Sequence, residues 1–130
     1  MSTSNDLAPS VLVAWPVATS AEAGWVAVCP LSELEPFWGE AALLGETQLA
    51  LFLLPDGVVH AVSNRDPLAG SFVMSRGIVG SRGDRTTIAS PLNKQVYDLE
   101  TGECVSADGP PLAVFPVRVA AGMVEVGTAA

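Results

Sequence analysis

The sequence predicts an all-β domain of short strands, and three observations lead there. Hydrophobic residues make up 49% of the 130 positions but aromatics only 6%, so Val, Ala and Leu supply most of the apolar volume. Such a composition suits the pleated face of a sheet, where branched side chains pack well. Twelve Gly and ten Pro interrupt the chain at short intervals, as turns between short strands require. No stretch holds three turns of amphipathic helical periodicity, without which a helix has no face to bury.

Residues 1–23 are rich in Ser, Ala, Pro and Thr and read as a flexible leader, with Trp15 a candidate to dock on the domain. The domain is expected over 24–127, with 128–130 as a tail. Trp25–Cys29 is a short apolar strand that Pro30 stops, and Leu31–Leu34 reads as a single turn capped by Ser32. Glu40–Leu44 and Gln48–Leu54 flank a hairpin connection at Gly45-Glu46. Pro55-Asp56-Gly57 is a turn, with proline set for its first corner and glycine free to take positive φ. Val58–Val62 then pairs back on Gln48–Leu54. Loop chemistry is expected from Ser63 to Asp84, punctuated by Gly70, Gly77, Gly80 and Gly83. Thr86–Ala89, Gln95–Asp98 and Glu103–Val105 are short strands. After Pro110-Pro111, Ala113–Val119 and Met123–Val126 form a terminal hairpin around Ala121-Gly122.

A formal charge of −8 argues against a general nucleic-acid binder, because phosphate neutralisation needs clustered Lys and Arg. Apolar runs break within about ten residues, short of the ~20 that span a bilayer. The N-terminus carries no basic and apolar signal pattern. Cytoplasmic residence is therefore expected. Cys29 and Cys104 lie far apart in sequence and are expected to be buried small hydrophobes rather than a disulfide.

Catalytic groups are scarce. His60 is the only histidine, mid-strand, with no second histidine to complete a metal site or a nucleophilic triad. The carboxylates are scattered, and no phosphate-binding glycine loop is present. The informative segment contains two loop tips about two dozen residues apart, Asn64-Arg65-Asp66-Pro67-Leu68 and Ser90-Pro91-Leu92-Asn93-Lys94, the second followed by Tyr97-Asp98-Leu99-x-Thr101-Gly102.

This pattern resembles a Rieske domain, which implies stacked antiparallel sheets. In Rieske proteins the first tip carries Cys-x-His and the second Cys-x-x-His, together holding a [2Fe–2S] cluster. The resemblance places Asp66, Leu68, Ser90 and Asn93 at those positions. None is a thiolate or an imidazole, so no cluster and no other metal is expected there. The local role of these residues is expected to be loop capping. The order Asn64-x-Asp66-Pro67, Ser75-Arg76-Gly77-Ile78-Val79-Gly80, Ala89-Ser90-Pro91-Leu92-x-Lys94-Gln95 and Asp98-Leu99-x-Thr101-Gly102-x-Cys104 is similar to the small subunits of assimilatory NAD(P)H-dependent nitrite reductases, from about Trp25 to Val126. That resemblance implies an accessory chain, without catalytic residues or cofactors of its own. Its partner would be a large subunit that holds FAD, sirohaem and an iron–sulfur cluster and reduces nitrite to ammonium. The alternative is a free-standing interaction or regulatory module on the same scaffold.

Charge adds one expectation. Arg65, Arg76, Arg82, Arg85 and Lys94 are five of the six basic residues, and segment 65–94 carries +3 against −11 for the remainder. If the two tips converge, the emptied tip is a basic docking surface on an acidic body. The bland alternative has these arginines paired locally with Asp84 and Asp98.

Overall fold

The computed structural model describes residues 24–127. The leader with Trp15 and the short C-terminal tail lie outside the described residues. Among the described residues the chain forms strands, turns and no α-helix. The strands are β1 (Trp25–Pro30), β2 (Gly39–Leu44), β3 (Thr47–Leu53), β4 (Val59–Ser63), β5 (Ile78–Arg82), β6 (Arg85–Ala89), β7 (Val96–Asp98), β8 (Val114–Phe115), β9 (Val117–Ala120) and β10 (Met123–Gly127). They assemble into three antiparallel sheets, ordered β1-β10-β9, β2-β3-β4-β8 and β5-β6-β7. The all-β expectation of stacked antiparallel sheets holds.

The central strand explains the stacking. Leu49-Ala50-Leu51-Phe52 is fully buried, and successive side chains point to opposite faces. Leu49 and Leu51 enter a core with Val28, Val124 and Val126. Ala50 and Phe52 enter a second core with Met74, Ile88, Tyr97, Leu99 and Leu112. A strand covered on both faces reads as an unbroken apolar run instead of an alternating one, hence the continuous Leu49–Leu54 stretch. Gly45 turns β2 into β3 at φ 62, and Gly57 turns β3 into β4 at φ 90, the latter braced by the Asp56 Oδ1 acceptor 3.0 Å from Val58 N. His60 lies in β4 opposite Phe52, half-buried, and burial lowers its pKa.

Several elements differ from expectation. Segment 63–84 is not all loop: it holds a 3-10 turn at Met74–Arg76 and the edge strand β5. β5 is largely exposed and carries Gly80, Ser81 and Arg82, so it shows little apolar pattern. Ala113–Val119 is divided by Pro116, with β8 pairing β4 and β9 pairing β10. Proline has no N–H for a ladder, and its carbonyl instead accepts Gly127 N at 2.8 Å. Glu103–Val105 forms only an isolated bridge, Cys104 to Tyr97. The turn at Leu31–Glu33 starts from Pro30 with no side-chain cap, so Ser32 does not cap it. Both cysteines are free thiols. Burial pushes Cys29 up to about 12, with Glu40 and Glu33 adding to the effect.

Candidate functional site

The two loop tips meet. The first leaves β4 at Ser63, where Asn64 is anchored on both sides: its Oδ1 accepts Ser75 N at 2.7 Å, and its backbone N donates to Gln48 O at 2.8 Å. Two residues on, Asp66 is completely buried. Its Oδ1 accepts the backbone N–H groups of Leu68 at 2.8 Å and Ala69 at 2.9 Å. Its carbonyl accepts Gly70 N at 2.7 Å. The second loop leaves β6 at Ala89 and presents Ser90 and Asn93. The Ser90 hydroxyl donates to Asp66 Oδ2, and Asn93 Nδ2 donates to the same oxygen at 3.1 Å. Asn93 Oδ1 accepts Gln95 N at 3.0 Å, which fixes the direction of the amide.

All four positions singled out by the Rieske resemblance thus converge on one carboxylate, Leu68 through its N–H alone. Burial by itself would raise the Asp66 pKa; the hydrogen bonds from Ser90, Ala69, Leu68 and Asn93 together outweigh it and hold the group below its ordinary value. The buried charge is sustained by these hydrogen-bond donors. Among the described residues no buried side-chain polar atom lacks a partner. Its negative charge is felt nearby: Tyr97 is pushed up to about 12, first by burial and then by Asp66.

This donor set does not fit a [2Fe–2S] cluster. Such a cluster takes thiolate and imidazole ligands, and here the positions offer a carboxylate, an aliphatic chain, a hydroxyl and an amide. The carboxylate oxygens are already engaged by four donors. Among the described residues no group of three or more His, Cys, Asp or Glu side chains could hold a metal ion.

A second Asp-centred turn follows β7. Asp98 Oδ1 accepts Glu100 N at 2.7 Å and Thr101 N at 3.0 Å, and its carbonyl accepts Gly102 N at 2.7 Å. This repeats the Asp66–Gly70 arrangement, and both glycines have positive φ, 85° for Gly70 and 82° for Gly102. The shared Asp-x-x-x-Gly spacing is the sequence signal for both turns, and its aspartates lie within the motifs that carry the Rieske resemblance. Asn64, the anchor of the first tip, has no such signal beyond its place in the motif, because its partners Ser75 and Gln48 are remote in sequence.

The basic residues do not gather as one group. Arg65 adjoins Asp66, and Lys94 adjoins Asn93 in a left-handed conformation at φ 63. Both therefore flank the knot, with the exposed side chains of Leu68 and Leu92. Arg82 and Arg85 face each other at the far end of the β5–β6 hairpin, while Ala89, next to Ser90, pairs with Ile78 at the near end. Four residue steps of strand separate the two ends, about 13 Å. Arg85 binds Asp98 in bidentate fashion at 2.7 and 3.0 Å and reaches Glu100 at 3.0 Å. Arg82 donates to Val105 O at 2.8 Å. Arg76 belongs to the 3-10 turn and lines a separate groove.

Residues 24–127 match the family model for the Rieske-like [2Fe-2S] domain. A relative described as the nitrite reductase (NADH) small subunit of Escherichia coli K12 is 34% identical over 103 residues, covering 78% of this chain and 95% of that one. The chain belongs to the nitrite reductase small-subunit family. A solved structure of a chain assigned as the NADH-dependent nitrite reductase small subunit of Mycobacterium tuberculosis is 44% identical with a TM-score of 0.77, covering 82% of this chain and 96% of that one. The nitrite reductase [NAD(P)H] large subunit of Klebsiella oxytoca contains a matching stretch, 37% identical over 103 residues, which is 79% of this chain and 11% of that polypeptide. In that relative the small-subunit domain is part of the large chain. Membership in a family named for a cluster-binding domain does not alter the chemistry of this site: the small-subunit fold here is closed at its tip by the Asp66 knot.

Proposed function

We propose that this chain is the non-catalytic small subunit of a cytoplasmic assimilatory nitrite reductase that uses NAD(P)H. It supports reduction of nitrite to ammonium by a large subunit that holds FAD, sirohaem and an iron–sulfur cluster. The observation that carries this reading is the Asp66 knot. Hydrogen bonds occupy the place where a redox member of the fold would ligate its cluster, so this chain does not relay electrons. The knot instead holds two loops rigid and presents Arg65, Leu68, Leu92 and Lys94 outward. A small apolar surface flanked by two cations suits docking on an acidic surface of the large subunit. Arg76, Arg82 and Arg85, named with these two on charge alone, contribute less because they point to other parts of the surface or are bound locally.

Two measurements test the proposal. Nitrite turnover by the purified large subunit, with NADH and with NADPH, should rise when this chain is added, and R65E/K94E should need a higher concentration for the same effect. Protein purified without oxygen should show no visible iron–sulfur absorption. Stoichiometric iron with such a spectrum would overturn the cluster-free reading, and unchanged turnover would overturn the accessory role.

A further inference from the structure

A groove of about 750 Å³ lies away from the Asp66 knot, between the start of β2 and the start of β5. Phe37 and Trp38 form one wall and Ile78 and Val79 the other, while Glu35 and Glu40 stand in its lining. Its floor is closed tightly: a Cβ on Gly39 would collide with Ser75 O. The walls are unusually bare for apolar side chains, with Trp38 69%, Ile78 72% and Phe37 54% exposed. Phe37 holds a left-handed φ of 71, which costs a bulky residue about 1–2 kcal/mol. About half of the residue stays exposed, so burial among the described residues offsets only part of that cost. Both walls border edge strands, since among the described residues β2 pairs only with β3 and β5 only with β6. Edge strands leave backbone donors and acceptors for a partner.

Charge narrows the choice of occupant. Glu35 and Glu40 share the lining with Arg76. The Glu40 pKa is raised by burial, then by Glu33 and Glu35, so the glutamate side of the groove holds crowded negative charge while Arg76 stands by Ile78. A complementary occupant brings a cation. Residues 1–23 contain no Lys or Arg, and a second copy of a chain with net charge −8 is repelled overall. An occupant with a cationic side chain therefore comes from another protein. The groove is also continuous with the tip through one loop, because Asn64 Oδ1 accepts Ser75 N at 2.7 Å and Asn64 O accepts Met74 N at 3.0 Å.

We propose that the large subunit makes a second contact in this groove, seating apolar side chains between Trp38 and Ile78 and presenting an Arg or Lys to Glu35 and Glu40. This inference rests on the reading of the chain as a small subunit. A partner that spans tip and groove would grip the loop 64–77 from both ends.

The test titrates immobilised large subunit with the full chain, W38S/I78S, E35Q/E40Q and R65E/K94E. W38S/I78S should weaken binding roughly tenfold or more, as loss of an aromatic anchor does. E35Q/E40Q should weaken it by a smaller factor and flatten its salt dependence. Circular dichroism checks that each variant is folded; if W38S/I78S is not, the E35Q/E40Q result decides. Wild-type affinity in both groove variants overturns the second contact while leaving the small-subunit reading standing. Failure of the wild-type chain to bind overturns both. A concentration-dependent dimer that W38S/I78S dissociates, or tighter binding after removal of residues 1–23, assigns the groove to another occupant and also overturns it.

Discussion

Replacing Asp66 probes the knot directly. Asp66→Ala removes the acceptor for Leu68 N, Ala69 N, the Ser90 hydroxyl and Asn93 Nδ2 at once. A buried donor left unpaired costs about 1–3 kcal/mol. Ser90 can turn its hydroxyl elsewhere, and the Leu68 and Ala69 N–H groups are only partly buried, so the four losses do not add in full. About 3 kcal/mol is expected, a large share of the ~5–15 kcal/mol that holds a domain folded. Asp66→Asn keeps one oxygen for the two backbone donors but turns an NH2 toward Asn93 Nδ2, whose own oxygen is held by Gln95 N. Its cost should be about half as large. Urea unfolding at pH 7 measures both, and thermal melts should fall by about 15 °C for the alanine variant. The pH dependence gives a second check. The folded pKa of Asp66 lies below its ordinary 3.8, so its stabilisation is present above that value and is lost as pH falls through the folded value. The gap between wild type and Asp66→Asn should therefore narrow in strong acid. A loss below about 1 kcal/mol for Asp66→Ala at pH 7 would refute the reasoning.

Three other outcomes are expected. Asp98 is held near pH 2 instead of 3.8, first by Arg85, so its contribution is present above pH 3.8 and disappears as pH falls toward 2; Arg85→Ala should move this acid limb of an unfolding titration upward. Gly102→Ala should destabilise by about 3 kcal/mol or more, visible as lost soluble yield or a lowered Tm. The glycine sits at φ 82, and an added Cβ would collide with Leu112 O. The quadruple variant D66C/L68H/S90C/N93H restores the Rieske ligand types at the matching positions and should take up a [2Fe–2S] cluster on anaerobic reconstitution, read by visible absorption and iron content.

Much of the architecture was legible because it is local. The Leu49–Leu54 run followed by Pro55-Asp56-Gly57 marks a buried strand and its turn, and the β3–β4 ladder follows from them. The two loop motifs identify the site positions and show that their side chains are the wrong type for an iron–sulfur cluster. Strand β5 was hidden because it is an exposed edge with one paired side, which demands no apolar alternation. The division at Pro116 was hidden because sheet membership depends on which strand lies alongside, and hydropathy does not record that.

The sequence by itself therefore determined the strand-rich character, the turns and the chemistry available at each position, since these follow from side-chain type and spacing along a few residues. Only the tertiary structure decided how those positions combine. It brought Ser90 and Asn93 onto Asp66 across 24 and 27 residues, tied Arg85 to Asp98, left Arg65 and Lys94 beside the knot, and opened the groove between Trp38 and Ile78. Hydrogen bonding and burial depend on distances between residues remote in sequence, and the folded backbone sets those distances.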